Sequence, residues 1–139
     1  MNNNKPIIII DDDDEDLDLI RDALAELKVE NEIIVFDDGV KFIDFIRATD
    51  NKAFFILCDV NMSKINGLEL KKMIYDDEHL RLKCVPFIFM STSGASTEVL
   101  RAYSYGVQGY FIKPPSFGEI KDLLHSIFRY WSHSQHPGS

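Results

Sequence analysis

The sequence is short of cations, of cysteine and of long apolar runs, and each shortage excludes a class of protein. Lysine and arginine number 15 against 23 acidic residues, so the formal net charge is −8. This charge opposes direct nucleic-acid binding, which needs clustered basic side chains. No apolar run reaches the roughly 18 residues of a membrane span. The opening MNNNKP lacks the apolar core of a signal peptide. We therefore predict a cytoplasmic protein with neither nucleic-acid nor membrane partners.

The two cysteines and four histidines form no pattern typical of a metal site built from these residue types. Cys58 and Cys84 lie in apolar, strand-like segments, and we interpret them as reduced, buried thiols. Their spacing is not that of a zinc motif. The histidines also lack ligand-like spacing, and we predict that all four lie on the surface: His79, His125, His133 and His136.

The chain does contain five alternations of strand and helix patterns. Short apolar runs rich in β-branched and aromatic residues predict strands at 6–10, 32–36, 53–58, 85–90 and 108–112. Apolar residues at helical spacing predict helices at about 14–28, 40–46, 68–76, 96–104 and 117–131. Residues 132–139 are predicted to be disordered. Since the strands are almost continuously apolar, both faces of the sheet should be covered, which is typical of one doubly wound parallel α/β domain.

Polar side chains follow four of these strands. The carboxyl ends of parallel strands meet at one edge of a sheet, and that edge would present Asp11, Asp12, Asp59, Ser91 and Lys113. Three close carboxylates repel one another unless a cation is present. Hard oxygen ligands with an incomplete shell suit Mg²⁺. A lysine and a hydroxyl could bind phosphoryl oxygens, and an aspartate could act as the nucleophile that forms an acyl phosphate.

Four stretches together resemble the receiver domains of response regulators in two-component signalling. They are IIIIDDD, LCDVNMSKING, FIFMSTS and GYFIKPP, in this order within residues 6–131. The resemblance implies a CheY-like, flavodoxin-like sheet of order 2-1-3-4-5 with five helices. It also implies Mg²⁺-dependent self-phosphorylation from a phosphodonor and autodephosphorylation, without an external substrate.

The resemblance further implies partners. A sensor histidine kinase would supply the phosphoryl group, and a conformational switch would signal to a downstream protein. We expect no output domain in this chain. As an alternative, the domain would be a phosphorelay intermediate that passes the phosphoryl group to a histidine phosphotransfer protein.

Site roles follow from the same resemblance. Asp59 would be the phosphoacceptor and would ligate Mg²⁺ together with Asp12 and the backbone carbonyl of Asn61. Asp11 would act through a metal-bound water. Asn61 occupies a position that tunes the rate of dephosphorylation in the family.

The run of four aspartates, Asp11–Asp14, leaves the register of the acidic pair open. We place the pair directly after Ile10, because Leu17 and Ile20 then fall where the first helix of the family turns its apolar face inward.

The resemblance also implies a phosphate clamp and a switch. Ser91 matches the switch hydroxyl, Lys113 the phosphate-binding lysine, and the bond before Pro114 is typically cis. Tyr110 falls at the aromatic switch position, although ordinary packing at the end of a strand also explains it. Ser93 is a second position that tunes dephosphorylation.

Two departures from the family pattern affect the expected behaviour. Ser91 replaces the commoner threonine, and the missing methyl group would loosen the switch. Ser63 stands where the family usually has proline, which would free the loop after Asp59.

The last helix ends with three aromatic residues, Phe128, Tyr130 and Trp131. They fit either core packing or a protein-docking surface. The second interpretation includes a homodimer through the fourth helix, the fifth strand and the fifth helix.

Two other functions share part of the pattern. A haloacid-dehalogenase-like phosphohydrolase also has an aspartate after an apolar strand, then a hydroxyl and a lysine. It would need an acidic pair after Lys113, and Asp59 would have no role. A flavodoxin-like electron carrier needs a hydroxyl- and glycine-rich loop after the first strand, where this chain is acidic.

Overall fold

The computed structural model describes residues 5–137, and a parallel five-stranded sheet forms its centre. The strands are β1 (Ile7–Ile10), β2 (Ile33–Phe36), β3 (Phe55–Cys58), β4 (Phe87–Ser91) and β5 (Gly109–Ile112). Their order is β2-β1-β3-β4-β5, and each neighbouring pair is parallel. The predicted fold class and strand order are confirmed.

Six helices accompany the sheet in the described residues. They are α1 (Asp14–Glu26), α2 (Gly39–Ala48), α3 (Gly67–Asp76), α4 (Glu78–Arg81), α5 (Ser96–Ser104) and α6 (Phe117–His133). The prediction of five helices missed α4, because a single turn is too short for an apolar period. None of these helices is long and apolar enough to cross a membrane.

Two apolar clusters hold the helices against opposite faces of the sheet. Alternation along β1 sends Ile8 and Ile10 into the cluster under α2, α3 and α5. Ile7 and Ile9 point the other way, into the cluster under α1 and α6. Because side chains alternate along a strand while both faces are covered, every residue of β1 is buried.

The acidic run after β1 contributes side chains both to the edge of the sheet and to the start of α1. Asp13 is the N-cap of α1, and its carboxylate accepts hydrogen bonds from the backbone N–H groups of Glu15 and Asp16. Leu17 and Ile20 are buried on the inner face of the helix. This arrangement leaves Asp11 and Asp12 at the end of the strand, in the register that the sequence predicted.

The carboxyl-terminal segment is ordered as far as the structure describes it, so the predicted disorder of residues 132–139 is corrected for residues 132–137. α6 continues to His133. His136 is 5% exposed, its ring stacks on Phe54 at 5.5 Å, and its Nε2 lies 2.7 Å from the Phe54 carbonyl oxygen. The predicted surface position of His136 is therefore wrong, because local sequence does not reveal that the chain folds back. Residues 138–139 lie outside the described residues.

A buried lysine lies beneath the packing of α3 against α5. Lys71 is 1% exposed, and its ammonium donates a hydrogen bond to the Tyr105 carbonyl oxygen at 2.7 Å. The ammonium also lies 5.6 Å from the centroid of the Phe87 ring. Burial lowers the pKa of Lys71 to about 8, because the apolar surroundings disfavour the charged form.

The contribution of Lys71 to the free energy of unfolding should therefore rise with pH between about 8 and the ordinary lysine value of 10.5. In that window the unfolded chain binds a proton that the folded chain has released. We expect Lys71→Met to remove this rise, which is on the order of 1–3 kcal/mol in total. Urea denaturation at several pH values in this range measures it. Lys72→Met, which changes an exposed neighbour, is the control. A difference in stability between wild type and Lys71→Met that does not change with pH would contradict the expectation.

Candidate functional site at the carboxyl edge of the sheet

The carboxyl ends of β1 and β3 bring three carboxylates together. The backbone N–H of Asp59 donates to the Ile10 carbonyl oxygen at 2.9 Å, so the residues that follow the two strands are neighbours. One oxygen from each of Asp11, Asp12 and Asp59 lies within 4.8 Å of the others. The geometry thus gathers the three acidic side chains that the sequence placed at this edge.

Burial makes this acidic cluster electrostatically unfavourable. Asp11 is 2% and Asp59 is 8% exposed. Burial raises the pKa of Asp11 to about 6, although the Asp13 N–H and the Lys113 ammonium oppose the shift. Burial also raises the pKa of Asp59, against the opposing field of Lys113. The site therefore favours either bound protons or a bound cation.

Lys113 enters the same pocket from the end of β5. Its Nζ lies 3.7 Å from Asp11 Oδ2 and 4.0 Å from Asp59 Oδ1. Its hydrogen bond goes to a fourth carboxylate, Asp16 Oδ2 in the first turn of α1, at 2.5 Å. Burial opposes the charge of Lys113, but the bond to Asp16 and the neighbouring carboxylates outweigh it and raise its pKa.

Asp16 was missed by sequence reasoning, because acids in the first turn of a helix are common and are stabilised by the helix dipole. The local sequence does not distinguish Asp16 from Asp14 and Glu15, the other acids of that turn.

The predicted cis bond before Pro114 is corrected by the structure. Within residues 5–137 the cis peptide bond is Val85–Pro86, and the Lys113–Pro114 bond is trans. The trans form is the lower in free energy for most bonds that precede proline. Lys113 reaches the pocket with the bond in this form.

The loop after β3 is tied to the site rather than freed. The backbone N–H and the hydroxyl of Ser63 both donate to Asp12 Oδ2, at 2.9 and 3.0 Å. The Asn61 N–H donates to Asp59 Oδ1 at 3.3 Å. Where the loop enters α3, a Cβ on Gly67 would lie 2.4 Å from the Asp59 carbonyl oxygen. Only glycine allows this close approach of the backbone.

Ser91 and Tyr110 are connected through Ser93. Ser91 is fully buried at the end of β4, and its hydroxyl oxygen accepts a hydrogen bond from the Ser93 N–H at 3.1 Å. The Tyr110 hydroxyl donates to the Ser93 carbonyl oxygen at 2.6 Å. The half-buried Tyr110 ring also packs against Phe89, with 5.9 Å between centroids. Tyr110 therefore has both strand-end packing and a polar link to the loop after β4.

Comparison with known proteins agrees with this fold. The sequence profile of the response regulator receiver domain matches residues 7–125. The chain belongs to this family. Chemotaxis protein CheY1 of Helicobacter pylori is 31% identical over 110 residues, which cover 78% of this chain and 85% of that protein.

Two solved structures illustrate the likeness in fold. The phosphorylated cyanobacterial phytochrome response regulator RcpA superposes with a TM-score of 0.86 at 26% identity, over 97% of this chain and 99% of that one. The receiver domain of a Pseudomonas aeruginosa sensor histidine kinase, with magnesium in its active-site cleft, has a TM-score of 0.74 at 20% identity. That match covers 94% of this receiver domain and 99% of the other. Membership in the family leaves the phosphohydrolase and flavodoxin-like alternatives without support.

The buried charge of Asp11 should make the metal-free receiver domain less stable at neutral pH. The folded pKa of about 6 exceeds the ordinary value of 3.8, so stability is lost as the pH rises through this window. We expect Asp11→Asn to raise the free energy of unfolding at pH 7 in EDTA by on the order of 1–3 kcal/mol. The gain should shrink toward pH 4, where folded wild type is protonated.

Urea denaturation across this pH range measures the effect, with the exposed Asp14→Asn as the control. A gain for Asp11→Asn that does not change with pH would contradict the electrostatic cause.

Proposed function

We propose that this receiver domain accepts a phosphoryl group from a sensor histidine kinase onto Asp59. The observation that carries the proposal is the convergence of Asp59, Asp11, Asp12 and Lys113 at one strand edge. Attack of the Asp59 carboxylate on the phosphorus of a kinase phosphohistidine would form an acyl phosphate as the P–N bond breaks and the imidazole leaves. The charge that develops must be neutralised by groups already in position. The ammonium of Lys113 is one such group.

We assign the nucleophile to Asp59, as the resemblance to receiver domains implies, and the contacts of the neighbouring carboxylates are compatible with this assignment. Asp12 accepts two hydrogen bonds from Ser63, and Asp16 accepts the hydrogen bond of Lys113. Asp11 is more deeply buried, at 2% exposed, and it accepts from the Asp13 N–H at 2.9 Å. Asp59 lies close to both the acidic pair and the lysine.

The donor set fits Mg²⁺, because three carboxylate oxygens within 4.8 Å of one another are hard ligands for a small divalent cation. Asp12, Asp59 and the Asn61 carbonyl would hold the ion, with Asp11 acting through water. The ion would neutralise the carboxylates and the incoming phosphoryl oxygens. The kinase receiver domain of similar fold carries magnesium in its cleft.

The buried Ser91 hydroxyl and Lys113 would bind the phosphoryl oxygens. Movement of Ser91 would disturb its bond to Ser93, and Ser93 also accepts the hydroxyl of Tyr110. A new dianion at Asp59 would thus bias two packings of the loop after β4 and of Tyr110. Asn61 and Ser93, which contact Asp59 and Ser91, would tune the lifetime of the phosphoryl group.

The signal would leave through the surface formed by α5, β5 and α6, toward a downstream protein, a histidine phosphotransfer protein or a second copy of the chain. Large apolar side chains on this surface are more than half exposed: Leu100, Tyr103, Ile112 and Tyr130.

We place the protein in the cytoplasm, where its two buried free thiols stay reduced.

Asp59→Asn should abolish Mg²⁺-dependent labelling by a small phosphodonor such as acetyl phosphate, because an amide cannot form the acyl phosphate. Intact mass spectrometry of the native protein measures the added phosphoryl group. Asp44→Asn, which removes an exposed carboxylate from α2, should label like wild type. Labelling of Asp59→Asn at the wild-type level would overturn the assignment of the phosphoacceptor.

Activation should also change assembly if the α5, β5 and α6 surface pairs with a second copy. We expect beryllofluoride with Mg²⁺, which mimics the acyl phosphate, to raise the dimer fraction in sedimentation velocity. Tyr130→Ser should reduce that rise, and Met73→Ser, on the exposed side of α3, should not. An unchanged monomer in the presence of bound beryllofluoride would redirect the output to a different protein.

A further inference from the structure

The resting position of Lys113 is set by Asp16, which lies outside the phosphoacceptor site proposed above. The Lys113 ammonium is 2.5 Å from Asp16 Oδ2 but 4.0 Å from Asp59 Oδ1. The latter distance exceeds that of a hydrogen bond. The lysine side chain is 10% exposed and that of Asp16 is 27% exposed, so water screens this ion pair only in part.

The fold fixes Asp16 for this contact. Its backbone N–H donates a hydrogen bond to the carboxylate of the N-cap residue, Asp13 Oδ1, at 3.3 Å, which anchors the first turn. The next residue, Leu17, is buried in the core at 5% exposed. Asp16 is thus held at the rim of the pocket by its own helix, while the lysine reaches it from β5.

We propose that Asp16 is a positioning residue that competes with the phosphoryl group on Asp59 for the Lys113 ammonium. The inference rests on the proposed function, in which Lys113 binds a phosphoryl oxygen. To do so, the ammonium gives up its charge-assisted bond to Asp16 or shares it. The free energy of that bond is subtracted from the stability of the phosphorylated state, so Asp16 shifts the equilibrium toward the resting domain.

Removal of Asp16 should therefore strengthen the binding of an acyl-phosphate mimic. In ¹⁹F NMR titrations with beryllofluoride and Mg²⁺, we expect Asp16→Ala to bind about five- to twentyfold more tightly than wild type. Asp16→Glu, which keeps a carboxylate within reach, should stay within about threefold. Asp18→Ala is the matched control, because Asp18 is exposed on the same helix and about 200° around it.

A double-mutant cycle separates competition for Lys113 from simple repulsion of the phosphoryl charge. In a Lys113→Met background, Asp16→Ala should bring no gain, because there is no ammonium to release. An equal gain in beryllofluoride affinity with and without Lys113 would mean that Asp16 only repels the bound anion, and it would overturn the proposal.

The ion pair has a test that does not depend on phosphorylation. In the metal-free protein, urea denaturation of wild type, Asp16→Ala, Lys113→Met and the double variant should show a favourable coupling between the two side chains. The same cycle with Asp18→Ala in place of Asp16→Ala should show none. No coupling between Asp16 and Lys113 would overturn the inference whatever the domain binds. If the two side chains are coupled but wild type binds no beryllofluoride, the receiver function fails and the inference falls with it. If wild type binds and Asp16→Ala is no tighter, only the inference fails.

Discussion

The confinement of three carboxylates and one ammonium to a single strand edge, with the Asp16 carboxylate of α1 beside them, is the constraint on which the rest of the structure depends. Parallel β1, β3 and β5 end at this edge and deliver Asp11, Asp59 and Lys113 to it. In water such a cluster would disperse, but here the strands fix the backbone and the burial of Asp11 and Asp59 prevents screening. The fold therefore maintains an electrostatic imbalance that a cation and a phosphoryl group can relieve.

The surrounding loops and helix caps hold the backbone of this charged edge in position. Asp13 caps α1, so the acidic run cannot unwind away from the strand end. Gly67 lets α3 begin directly against the Asp59 carbonyl oxygen, where any side chain would collide. A capping box between Asn66 and Glu69 fixes the same helix start. Local helix signals thus hold the charged edge rigid, which is what a reaction by positioning requires.

The sequence was sufficient for the fold and for the members of the site that directly follow strands. Strand periodicity and the shared edge of parallel strands place Asp11, Asp12, Asp59 and Lys113 without knowledge of any contact. The features that it missed depend on partners far apart in the chain: Asp16 meets Lys113 across 97 positions, and His136 meets Phe54 across 82. Such pairs follow from the tertiary packing of helix ends and tails, which local periodicity does not encode.

Ser63 is another residue whose partner lies far away in the chain, and its contacts reverse the effect on the loop that the sequence suggested. A serine in place of the usual proline suggested a looser loop, yet its N–H and hydroxyl both bind Asp12, 51 positions away. Proline has no N–H and could make neither bond. In this chain, two groups required by the proposed reaction, Asp12 and Lys113, are each held at rest by a neighbour that a generic receiver pattern does not specify. In the proposed reaction these hydrogen bonds would have to be exchanged, and their free energies would help to set how readily the domain is activated.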